Sequence, residues 1–119
     1  MAKLDLSQLK SSDIVFWTAW IDDSLAGCGA LKRLKQNQAE IKSMRTSKHH
    51  LRKGVAAKLL TEILAYSIKI KSQKVYLETG SMKVFEPAHN LYRSFGFKKC
   101  KPFADYKKDP YSLFMVKTL

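Results

Sequence analysis

Residues 40–70 constrain the fold more than any other part of the chain. Glu40-Ile41-Lys42-Ser43-Met44-Arg45-Thr46 alternates in character and reads as a strand. It runs into a basic loop, Lys48-His49-His50-Leu51-Arg52-Lys53-Gly54-Val55-Ala56. That loop opens a helix predicted over 54–70, in which Val55, Leu59, Leu60, Ile63 and Leu64 share one face. A strand feeding a glycine-bearing basic loop and a helix N-terminus builds an anion site. The first-turn N–H groups have no intrahelical acceptor, and the aligned peptide dipoles leave partial positive charge at that end. A phosphorylated ligand is expected there. The next strand, Lys74-Val75-Tyr76-Leu77-Glu78-Thr79, pairs in parallel with the first through a right-handed crossover.

The flanks supply antiparallel partners. Residues 12–22 are rich in Ile, Val, Phe, Trp and Thr and read as a strand; Asp22-Asp23-Ser24 turns the chain, and 25–34 return as a hairpin. Gly27 and Gly29 alternate in the return strand, so one of its faces is bare and open to close approach. Trp17 and Trp20 are three apart and point to opposite faces, one toward the core and one toward a pocket or an interface. Residues 38–46 form the third strand. A second helix is predicted over 87–95, with Pro87 in its first turn and Gly96 as its stop. Strands are predicted over 97–106 and 112–119. The fold class is α/β: a mixed, mostly antiparallel sheet with a central parallel strand–helix–strand step and helices on its faces.

Length and composition bound the rest. The 119 residues suit one domain, 1–119, and an apolar fraction of 45% supports a packed core. No apolar run approaches a membrane span, and Met1-Ala2-Lys3-Leu4-Asp5 lacks signal-peptide design, so a cytoplasmic protein with no membrane partner is expected. Cys28 and Cys100 are far apart with no CxxC pairing, and no His/Cys cluster has zinc-ligand spacing, so no metal is expected. The net charge of +12 attracts polyanions. The lysines are scattered and no aromatic RNA-binding signature accompanies them, which leaves nucleic acid a secondary hypothesis.

Three pieces in this order resemble the GNAT-type N-acetyltransferase superfamily: the strand to Thr46 running into Arg52-Lys53-Gly54-Val55-Ala56, then Leu77-Glu78-Thr79-Gly80, then Ala88-His89-Asn90-Leu91-Tyr92-Arg93-Ser94-Phe95-Gly96-Phe97. The last is similar to the family's A-x-x-L-Y-x-x-x-G-F signature. Pro102-Phe103-Ala104-Asp105-Tyr106 and Asp109-Pro110, with Ser112, Phe114 and Met115, resemble a small bacterial branch. The chain departs from the family at Leu51, usually Arg or Gln, and at Phe85, often Asn. Only residues 1–10 precede the first hairpin strand, where the family has a strand and helices, so the domain is expected to lack most of that N-terminal part.

The resemblance implies an acetyl-CoA-dependent transfer to a small-molecule or peptide amine, with splayed central strands. Leu51, Arg52, Lys53, Gly54, Val55 and Ala56 would cradle the pyrophosphate, and the pantetheine arm would lie along Met44, Arg45 and Thr46. A backbone N–H near Met44 would polarise the thioester carbonyl. Tyr92 is the candidate general acid; Glu78 and Glu40 are the candidate bases, Glu78 preferred because it lies at the strand end nearest the splay. A homodimer is expected from exposed sheet edges. The alternative is a non-catalytic acyl-CoA-binding or oligomeric interaction module.

Overall fold

The computed structural model describes residues 3–119; Met1 and Ala2, part of the stretch read for a signal peptide, lie outside the described residues. The strands are β1 (Leu4–Lys10), β2 (Ile14–Ile21), β3 (Ser24–Arg33), β4 (Gln38–Thr46), β5 (Lys74–Gly80), β6 (Lys98–Lys99) and β7 (Ser112–Thr118). The helices are α1 (Val55–Lys69) and α2 (Glu86–Ser94). The sheet order is β1-β2-β3-β4-β5-β7-β6. Neighbours pair antiparallel except β4 and β5, which pair in parallel.

Strand alternation divides the sheet into two faces. Val15, Trp17, Leu31, Ile41, Val75, Leu77 and Met115 meet Val55, Leu59, Leu60, Ile63 and Leu64 of α1 in the core. Gly27 and Gly29 let the helix settle close: a Cβ on Gly27 would stand 2.8 Å from Val55 Cγ1, and one on Gly29 2.9 Å from Ile63 Cδ1. Trp17 is buried edge-to-face on Tyr66, at 5.5 Å between centroids. Half-buried Trp20 turns outward, its indole N–H donating to Thr18 Oγ1 at 3.0 Å.

The opposite face carries Glu40, Lys42, Tyr76, Glu78 and Phe114 in register. The segment after β6 covers part of it. Residues 97–106 do not form the long strand expected from their composition; only Lys98–Lys99 pair. Pro102 has no N–H for a ladder, and Ala104 takes a left-handed turn, φ 50°. Phe103 then stacks on Tyr76 at 4.7 Å, and Tyr106 packs against Phe114 at 5.5 Å. A second difference is β1. The sequence reading placed no strand before residue 12, yet Leu4 and Leu6 pack on the core and residues 4–10 pair fully with β2.

Candidate active site

The parallel ladder between β4 and β5 joins Gln38–Ile41 to Lys74–Leu77 and stops there, although β4 runs on to Thr46 and β5 to Gly80. The strands therefore part in mid-sheet and leave a slot. A bulge explains the parting. Lys42 pairs with Ala30 and Arg45 with Cys28, so Ser43 and Met44 together oppose Gly29. Ser43 takes φ 58° to make the extra step. Met44 tucks into the space that Gly29 leaves free, its Sδ 2.6 Å from where a Cβ would stand. The backbone of β4 beyond Ile41 faces β5 without a partner strand, which leaves peptide groups for a ligand to satisfy.

On the helix side the slot opens into a groove of about 600 Å³ between the first turn of α1 and α2. Met44, Arg45, Thr46, Leu51, Arg52, Gly54, Val55 and Ala56, all singled out from the sequence, line it. Lys53 does not; its Nζ lies 3.4 Å from Nδ1 of His50. The first backbone bond of α1 runs from Lys58 N–H to Gly54 C=O at 3.0 Å, which leaves the amides of 51–57 without a backbone acceptor among the described residues. Arg52 (φ 62°) and Gly54 (φ 76°) are both left-handed, a geometry that gathers successive N–H groups toward one side. Glycine takes this conformation without penalty at the helix cap. The loop is anchored behind by Ser47 N–H on Ala26 C=O at 2.8 Å and by buried His50, whose Nε2 is 2.9 Å from Ser24 Oγ. This fits an acyl-CoA: amide donors and Arg52 for the phosphates, the free β4 edge for an amide-bearing arm, and the slot for its reactive end.

Tyr92 lines both groove and slot. Its ring sits edge-to-face on Phe97 at 5.8 Å, and burial raises its phenol above the ordinary tyrosine range. Among the described residues the hydroxyl has no hydrogen-bond partner, yet no side-chain polar atom there is sealed away unpaired, so it faces the open slot. His89 Nε2 donates to Gly80 C=O at 2.7 Å and fixes α2 on the end of β5. Phe85, where the family often has Asn, also lines both spaces and covers Gly80.

Glu78 shares the slot with Tyr92; it is exposed and accepts from Ser112 Oγ at 2.7 Å. Glu40 lies on the same face of the sheet as Glu78, across it from Tyr92, 3% exposed, on the floor of a cavity of about 840 Å³. Its Oε2 accepts from Tyr106 at 2.5 Å and lies 3.6 Å from Lys42 Nζ, which itself donates to the Tyr106 oxygen at 3.3 Å. Burial, then the bond to Glu40, raises the Tyr106 phenol. Burial alone would lower Lys42, but the bond to Tyr106 and the charge of Glu40 outweigh it and raise the amine. Nothing in the sequence near Tyr106 points to Glu40, because 66 positions separate the two.

Among the described residues no helix is long and apolar enough to cross a membrane, and no three His, Cys, Asp or Glu side chains gather as a metal site. Residues 2–97 match the Acetyltransferase (GNAT) family. The chain is 56% identical over 116 residues to the uncharacterized N-acetyltransferase YsnE of Bacillus subtilis (strain 168), a match spanning 98% of this chain and 77% of that protein. It is 43% identical over 116 residues to the uncharacterized N-acetyltransferase YedL of Escherichia coli (strain K12), spanning 98% and 73%. A solved Bacillus subtilis acetyltransferase in complex with CoA superposes with TM-score 0.78 at 16% identity, covering 98% of this chain and 99% of that one.

Proposed function

The chain belongs to the GNAT acetyltransferase family and is an acetyl-CoA-dependent N-acetyltransferase; on that premise we propose that acetyl-CoA enters the slot from the helix side while the amine arrives from the Glu40 side. The observation that carries this reading is the slot itself. It joins the groove at the α1 N-terminus to the far face of the sheet through one break in the β4–β5 ladder. Two reactants brought from opposite faces meet without sharing a pocket, and orientation of this kind supplies much of a transfer rate.

Acetyl-CoA supplies an activated thioester, so no covalent enzyme intermediate is needed. Amides 51–57 and Arg52 bind its phosphates, and the free edge at Met44, Arg45 and Thr46 holds its arm. The bulged backbone at Ser43–Met44 offers N–H groups to the carbonyl oxygen as it gains charge. The amine nitrogen bonds to the carbonyl carbon as the carbon–sulfur bond breaks. Tyr92 passes its phenolic proton to the departing sulfur, and the proton that the nitrogen sheds as the amide forms leaves to solvent and balances the one Tyr92 regains. Its raised pKa keeps that proton in place at neutral pH. Glu40 takes the proton of the incoming ammonium. Its burial and its link to Tyr106 favour it over Glu78, which is exposed and held by Ser112.

Acetyl-CoA binding by calorimetry, followed by thiol release with a panel of amines, tests the reading. Binding without thiol release from any amine would leave only a non-catalytic acyl-CoA module. A cytoplasmic location is proposed too, supported by the likeness to bacterial N-acetyltransferases. A homodimer through the β1 edge is proposed as well, supported by exposed Leu9 on that strand; sedimentation would show a monomer if the edge does not pair.

A further inference from the structure

We propose that the acceptor is a small amine that also bears an acid group, and that Lys32, with Arg33 and Lys35 beside it, binds that acid. This rests on the transferase reading above and names the substrate class of the same site.

Lys32 of β3 stands directly opposite Glu40 of β4, so the two side chains leave the same face of the sheet as neighbours. They do not pair. Glu40 is taken by Tyr106 and Lys42, and Lys32 has no carboxylate within 4.0 Å among the described residues. Lys32 is nevertheless half-buried. A cation partly withdrawn from water and left without a counter-charge is unfavourable unless something else compensates it. Arg33 and Lys35 follow on the same strand and turn, line the same cavity and are likewise unpaired.

The cavity of about 840 Å³ suits a small molecule rather than a polymer. Its floor is a carboxylate and its β3 wall is cationic. An ammonium directed at Glu40 would place an acid a few bonds away against Lys32, since directly opposed side chains start about 5 Å apart. Asp13 and Asp105 also line the cavity and keep it from being uniformly basic, which suits a molecule carrying both charges. A diamine would set its second cation against Lys32, a like-charge contact in a partly desolvated place.

The test uses the purified protein, acetyl-CoA and four amines: L-aspartate, 2-aminoethyl phosphate, L-asparagine amide and putrescine. Thiol release should show kcat/KM at least about tenfold higher for one of the two acids than for the amide or the diamine, the scale of one lost charge-assisted bond. The first two probes separate carboxylate from phosphate as the group bound. Lys32→Ala should raise KM for the preferred acid about tenfold while the acetyl-CoA Kd stays in place. Arg33→Ala and Lys35→Ala, both at exposed positions, should shift KM the same way and serve if the first variant does not fold. Preference for the amide or putrescine, or no change of KM in any of the variants, overturns the inference and leaves the transferase intact. Acetyl-CoA binding with no thiol release from any of the probes or from a wide amine panel removes the transferase reading, and this inference with it.

Discussion

Gly27→Ala is the sharpest probe of how the fold builds its anion site. Gly27 lies mid-β3 under the first turn of α1, and a Cβ there would stand 2.7 Å from the carbonyl oxygen of Arg45, 2.8 Å from Val55 Cγ1 and 3.3 Å from Leu59 Cδ1. The first contact is backbone, the second a buried β-branched residue, so neither yields as the tip of a long side chain would. Overpacking of this kind costs about 1–3 kcal/mol, against roughly 0.5 kcal/mol gained from a stiffer unfolded chain. Net destabilisation of about 1–2 kcal/mol should lower Tm by roughly 4–8 °C at this chain length. Val55 directly follows the Gly54 cap, so lifting it displaces the amides that meet the phosphates. The acetyl-CoA Kd should rise about tenfold, the equivalent of one displaced charge-assisted bond. Calorimetric binding and thermal melts on the same samples read both effects. Gly29→Ala is the comparison, since the atoms nearest its Cβ are Met44 Sδ and Ile63 Cδ1, side-chain ends with no backbone among them; its Tm should fall less. A Gly27→Ala protein with wild-type Tm and Kd would refute the argument. A fall in Tm with Kd unchanged would show that the loop is not positioned by the packing of Val55.

Tyr92→Phe keeps the ring on Phe97 and removes only the hydroxyl, so kcat should fall about 100-fold with the acetyl-CoA Kd unchanged. Because burial holds the Tyr92 phenol above its unfolded value, stability should be intact below the ordinary tyrosine range and decline as pH rises through it; Tyr92→Phe should flatten that alkaline decline in melts taken against pH. Glu40→Gln should lower kcat about 100-fold or more, and Glu78→Gln by clearly less; the reverse order would return the base to Glu78. Arg52→Ala should raise the coenzyme A Kd about tenfold at low salt and by less at high salt, and Lys53→Ala should have the smaller effect, since its ammonium turns toward His50.

The segment from Gln38 to Gly80 was legible because each local signal agreed with the fold. Alternation set β4, the 3.6-residue stripe set α1, and Gly54 marked the cap between them. The splay followed from resemblance, and the bulge that produces it was invisible: nothing in Lys42-Ser43-Met44 announces a left-handed serine, though the bare Gly29 hinted at a close approach. Strand β1 was missed because Leu4-Asp5-Leu6-Ser7-Gln8-Leu9-Lys10 alternates weakly and holds its place as an edge, where Leu4 and Leu6 alone reach the core. The loop after Phe97 misled in the other direction. Its aromatic residues have strand propensity, but they serve as a lid on Tyr76 and Phe114, a role fixed by tertiary contact. The Glu40–Tyr106–Lys42 relay has no local signature at all, because its members come from one strand and a loop far along the chain.

A broken ladder in the middle of a sheet is costly unless something repairs it. Past Ile41 and Leu77, β4 and β5 give up their mutual hydrogen bonds, and the loop at 51–57 leaves a row of amides unpaired beside them. Water can serve these groups, but an amide-bearing, phosphate-bearing ligand serves them all at once and without being rebuilt for each. The same feature thus explains why the site binds and why it opens to both faces: closing the ladder would restore the sheet and wall off Glu78 from Tyr92. It follows that ligand binding and stability are coupled here. Saturating acetyl-CoA at 100 times its Kd should stabilise the protein by about 2.7 kcal/mol, and the amide protons that gain protection from exchange should be those of Ser43–Thr46 and 51–57, not those of the β1–β2 edge. Protection spread evenly over the sheet would mean that the slot is a gap in packing and not the place where the cosubstrate completes the fold.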